Sequence, residues 1–152
     1  MKSWFDRRMR HLSAVALAVF AFLFFCGAAL ADPPHPVLYK GERLVPVEVL
    51  PGKPLNLKGW TRDGKGQVYS LHVRKGETVG LNFWAASRFT YLVIFDAAKP
   101  DEDAFYSSDE DGNVKTFRIA KSTTWLVRPY YSKVAPRRGI GAPYSIAFDI
   151  RP

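Results

Sequence analysis

The sequence predicts an all-β protein, an antiparallel β-sandwich or jelly roll of seven to eight strands, preceded by a signal-peptide helix. Three observations predict it. Beyond residue 32 no stretch of eleven or more residues keeps an apolar period of 3.6, short β-branched and aromatic runs recur, and clusters of Gly, Pro, Asp and Lys separate them.

The leader comes first. Lys2, Arg7, Arg8 and Arg10 stand against one acid, Asp6, and an apolar run follows from Leu12 to Phe25. That is the charged head and apolar middle of an export signal. Ala29-Leu30-Ala31 puts small residues at the two positions that a signal peptidase reads before a cut at Asp32. Lipoprotein processing at Cys26 is disfavoured by bulky Phe24 and Phe25 just before it. The run approaches the ~20 apolar residues that span a bilayer, but its Ala-rich end and the following Asp-Pro-Pro favour cleavage. The expected organisation is a signal peptide at 1–31, an extension with an edge strand at 32–54, and one sandwich at 55–152. A periplasmic location follows.

Leu44 to Leu50 carries Pro46 and suits a sheet edge, because proline has no N–H for a central ladder. Pro51-Gly-Lys-Pro54 then turns the chain. Leu55 to Trp60 is the second strand, and after a polar loop Val68 to Val73 is the third, with Tyr69, Leu71 and Val73 on one face. Arg74-Lys-Gly-Glu77 is a tight turn. Thr78 to Trp84 follows and places Val79, Leu81 and Phe83 together. Thr90 to Phe95 is the most continuously apolar run and the candidate for a sheet centre buried on both sides. From Ala97 to Asn113 the chain is an acidic loop. Val114 to Ala120, Thr124 to Tyr131 and Tyr144 to Ile150 complete the set, the last two joined by a loop that holds Arg137, Arg138 and Gly139.

Composition limits the chemistry. Cys26 is the one cysteine and leaves with the signal, so the mature domain has no disulfide and no thiolate metal site, and packing must hold it together. The histidines beyond the leader are His35 and His72, and Gly-x-Ser-x-Gly is absent, so nucleophilic triads and the common zinc clusters lack their parts. An enzyme is not expected, nor is a cofactor. Asp101, Asp103, Asp109 and Asp111 offer hard oxygens to calcium but lack the ordered spacing of an EF-hand. Of the formal charge of +8, the leader carries four positives and one negative, leaving about +5 on the exported part. Outside the cytoplasm that suits acidic proteins, anionic glycans or membrane surface rather than nucleic acid. No membrane partner is expected after signal cleavage.

Val68-Tyr-Ser-Leu-His-Val, Arg-Lys-Gly-Glu, Thr-Val-Gly-Leu-Asn-Phe and Thr90-Tyr-Leu-Val-Ile-Phe, in that order, resemble the bacterial pre-peptidase C-terminal type of β-sandwich. Ala135-Pro-Arg137-Arg138-Gly139, a short spacer and Tyr144-Ser-Ile-Ala-Phe-Asp-Ile150 resemble the end of the periplasmic inhibitors of goose-type lysozyme, which share that sandwich. Those inhibitors typically show Arg-Asn-x-Ala-Arg-Arg before a last Tyr-containing strand. Here Lys133, Val134 and Pro136 stand in place of the first Arg, the Asn and the Ala. The resemblance spans about residues 55 to 150. It implies a goose-type lysozyme as protein partner, with Arg137 and Arg138 as contacts, Lys133 as a weaker match, and Trp60, after Lys-Gly, as the aromatic. Tyr69 is a further candidate contact, and it and Trp60 are equally suited to packing in the core or at its rim. The alternative is a binding module of the pre-peptidase type that recognises an envelope glycan or protein without inhibiting it.

Overall fold

A computed structural model describes residues 38–50, 52–62, 66–135 and 141–152. The signal peptide expected at 1–31, and the helix expected for it, lie outside the described residues. The strands are β1 (Glu42–Val47), β2 (Leu55–Thr61), β3 (Gly66–Val73), β4 (Thr78–Ala85), β5 (Thr90–Asp96), β6 (Tyr106–Ser107), β7 (Val114–Arg118), β8 (Thr123–Tyr131) and β9 (Ala142–Arg151). One sheet runs β1-β3-β8-β5-β6 and the other β2-β9-β4-β7. The all-β sandwich is as the sequence predicts.

Alternation builds the core. From β3 come Tyr69, Leu71 and Val73, from β4 Val79, Leu81 and Phe83, from β8 Trp125 and Val127, and from β9 Tyr144, Ile146, Phe148 and Ile150. A strand repeats every two residues, so each sends one face inward and leaves the other to solvent. Phe117 of β7 closes one flank, its ring 5.1 Å from Trp125 and 5.6 Å from Tyr106. The turn after β3 forms as expected, with Gly76 at φ 94° and Glu77 N–H donating to the Arg74 carbonyl.

Four features differ from the sequence expectation. First, β1 is an edge strand, as Pro46 requires, but it covers Glu42–Val47 and pairs with β3 in parallel. The reason is the path of the chain: β2 between them belongs to the other sheet, so two reversals return β3 to the direction of β1. Second, β8 is the middle strand of its sheet and β5 lies one place from the edge. Leu92 and Ile94 of β5 are fully buried, whereas Tyr91, Val93 and Phe95 are half-buried on the outward side. Third, there are nine strands among the described residues, because β6 interrupts the acidic stretch. Two residues are too short to show a period, and Tyr106 alone points into the core. Fourth, the acids are divided: Asp101 and Asp103 precede β6 and Asp109 and Asp111 follow it. Asp111 accepts from the Ser107 N–H at 3.1 Å and from Lys115 Nζ at 3.0 Å, so it secures a turn. Those two contacts hold its carboxyl below the usual carboxylate range.

Buried phenols carry a pH dependence. Burial, with a smaller push from Asp111, raises Tyr106 to about 12. Burial also raises Tyr144, Tyr69 and Tyr130. A phenol raised in the folded state stabilises the fold fully below the unfolded value near 10, and that contribution is lost as pH climbs through the folded value. Melting temperature is therefore expected to hold steady to about pH 10 and to fall between about 10 and 12. Tyr106→Phe should shallow that fall, as read by circular dichroism melts across the range. An unchanged slope would remove Tyr106 from the account.

Candidate functional site

The β2 and β9 strands pair from Leu55 with Phe148 to Thr61 with Ala142. That register brings Trp60, opposite Pro143, beside the chain as it returns from the loop after β8. Thr61 Oγ1 donates to the Ala142 carbonyl at 3.3 Å. Gly141 makes the approach possible. Its φ is +68°, and a Cβ there would sit 1.5 Å from the Thr61 carbonyl oxygen. Only a residue without a side chain fits both the left-handed backbone and the contact.

Of the five candidate residues the structure brings Trp60 and Lys133 to this end of the sandwich. Trp60 is 54% exposed. Lys133 is exposed in the first turn of the loop, where Ser132 N–H donates to the Phe89 carbonyl at 2.8 Å and ties the loop to the β4–β5 turn. Arg137 and Arg138 lie outside the described residues, between Ala135 and Gly141, both of which are described.

Tyr69 is corrected. It is 3% exposed, and its hydroxyl donates to Gln67 Oε1 at 2.7 Å, so Tyr144 must donate to it across the 2.8 Å between the two phenols. Odd-numbered residues of β3 face the core, and a partner does not reach them. Gly59 belongs to the same arrangement, since a Cβ there would lie 2.3 Å from the Tyr144 hydroxyl. The glycine before Trp60 makes room for a buried tyrosine, and Trp60 takes the outward side.

Two residues at this end escaped the sequence reading. Trp84 is 56% exposed and pairs with Ser145, while Trp60 pairs with Pro143 on the other flank of β9. The two indoles share the outward face of the four-stranded sheet. The signal was present: if Leu81 and Phe83 face inward, Asn82 and Trp84 face out. Arg88 in the β4–β5 turn is exposed, with its guanidinium 4.9 Å above the Phe89 ring. No periodic pattern marks a turn residue of this kind.

Solved structures share this architecture. A periplasmic inhibitor of g-type lysozyme from Aeromonas hydrophila, PliG, superposes with a TM-score of 0.59 at 23% identity, over 72% of this chain and 97% of its own. This chain has the PliG fold. The PliG of Salmonella Typhimurium gives 0.54 at 20% identity, over 72% of this chain and 98% of its own. No protein-family profile and no curated protein sequence matches the chain. The likeness to PliG covers nearly the whole of both relatives, so what is shared is the complete sandwich rather than one hairpin.

Proposed function

We propose that this protein is a periplasmic, non-catalytic inhibitor of g-type lysozyme that sets the loop bearing Arg137 and Arg138 into the enzyme's cleft, with Lys133 and Trp60 at its base. The observation that carries the reading is the β2–β9 register, which fastens Trp60 to the return of that loop. The fold shared with two inhibitors of this enzyme class supports it.

The chemistry is complementary. A glycoside-hydrolysing cleft is built around carboxylates and shaped for an extended glycan. Guanidinium groups answer it by sign, and their planar forks bind a carboxylate bidentately with less desolvation than an ammonium. A rigid aromatic such as Trp60 supplies an anchor, whose truncation commonly costs ~2 kcal/mol or more. Occlusion of the cleft requires no turnover and would protect the cell's own peptidoglycan.

A second reading is favoured by Trp84, which shares the outward sheet face with Trp60 across β9: a module that holds an envelope glycan or protein without inhibiting anything. A cell-wall lysis assay separates the two. Protein exported from the full-length chain should slow a g-type lysozyme and leave a chicken-type lysozyme nearly unaffected. Absence of inhibition at micromolar protein would reject the inhibitor reading and leave the binding module.

A further inference from the structure

The outward side of β5 is apolar where a solvated strand face would be polar. Val93 and Phe95 there form one wall of a cavity of about 700 Å³. That volume suits a small organic molecule. At its floor lies Arg128, whose side chain is nine-tenths buried, 3.0 Å from Glu42 Oε1. The guanidinium also lies 4.7 Å from the Tyr39 ring centre and 5.3 Å from that of Phe95. Tyr130, Tyr131 and Ser132 bring hydroxyls to the lining, and Lys40, Arg62 and Lys133 bring charge.

The charge of the lining points to the class of ligand. Of the described residues that line the cavity, Lys40, Arg62, Arg128 and Lys133 are cationic, and Glu42, 3.0 Å from Arg128, is the carboxylate. The aromatic walls offer ring faces to a flat or apolar ring, and the surrounding cations offer charge-assisted bonds to an anion. We propose that this cavity binds a small, ring-bearing organic carboxylate, with its ring against Phe95 and the tyrosines and its carboxylate among Lys40, Arg62 and Lys133. Acidic sugars and aromatic acids share this chemistry. The site shares Lys133 with the inhibitor reading but does not depend on it.

Calorimetric titration of the exported protein tests the assignment with four probes: glucuronate, phenylacetate, glucose as a neutral ring and acetate as a ringless anion. Glucuronate or phenylacetate is expected to bind with a Kd of about 1 mM or tighter, and glucose and acetate about tenfold more weakly or not at all. Which of the first two binds identifies the source as sugar or aromatic acid. Lys40 is exposed and outside the proposed inhibitory contacts. Lys40→Gln should weaken binding about three- to tenfold and leave inhibition of lysozyme unchanged. No carboxylate binding near 1 mM, acetate binding as tightly as the ring-bearing acids, or a Lys40→Gln variant with unaltered affinity would each overturn it.

Discussion

Gly141→Ala is expected to destabilise the protein by about 2–5 kcal/mol, enough to lower the melting temperature by roughly 10 °C. Two costs combine. A left-handed backbone costs an alanine about 1–2 kcal/mol. In addition, the new Cβ would meet the Thr61 carbonyl oxygen at 1.5 Å and the Arg62 Cα at 2.9 Å. These are backbone atoms and cannot swing aside as a side-chain end does. The clash must be relieved by moving the ends of β2 and β9 apart, which overpacking data put at about 1–3 kcal/mol. For a domain whose total stability is about 5–15 kcal/mol this is a large share. Gly80→Ala is the control, because a Cβ there meets nothing closer than 3.6 Å. Thermal melts should separate the two variants clearly. If they melt together, Gly141 does not pin the loop return as described. The surviving folded fraction of Gly141→Ala should also inhibit lysozyme less well, since Trp60 and the loop would no longer be held together.

The double change Arg137→Ala and Arg138→Ala carries the largest functional expectation. If both guanidinium groups enter a carboxylate-lined cleft, their removal takes away charge-assisted contacts that at buried interface centres are worth ~2 kcal/mol or more apiece, and inhibition should be abolished at concentrations where the parent protein is saturating. Stability should change by no more than about 1 kcal/mol, because loop charges contribute little to folding. The paired readout matters: lysis kinetics report the interface and thermal melts report the fold. Inhibition retained by a folded double variant would exclude the arginines as the inhibitory contacts. Equal loss of folding and inhibition would assign them a structural task. Lys121→Gln, exposed in the turn between β7 and β8 at the end of β8 away from the loop, is a suitable charge control.

Much of the fold was legible because alternation is local. Tyr69, Leu71 and Val73, and likewise Val79, Leu81 and Phe83, declare their inward faces within six residues, and the structure buries all of them. Pro46 announced an edge strand for want of an N–H. The same alternation put Tyr69 on the core side with Leu71, and the structure packs it there. Thr90 to Phe95 was harder. A run that is apolar on both sides is what a central strand shows, yet it is equally what a strand shows when its outward face lines a cavity. Sequence alone does not separate these cases, because both remove the same side chains from water. The candidate site was legible in part: Trp60 and Lys133 do lie at one end of the molecule, whereas Trp84 and Arg88 join them through pairings that no short window contains.

What the chain determines by itself is therefore what acts over a few residues: the period of two, the turn glycine at 76, the basic N-terminus with an apolar run behind it, and a domain without disulfides because no cysteine remains beyond residue 26. Only the tertiary structure decides that β1 runs parallel to β3, that β8 rather than β5 is the middle strand, and that Thr61 meets Ala142 across 81 residues of sequence. The physical reason is the same in each case. Local side-chain patterning says which face of a strand is buried, but the choice of neighbour is settled by loop lengths and by the packing of one sheet on the other, which involve residues far apart along the chain.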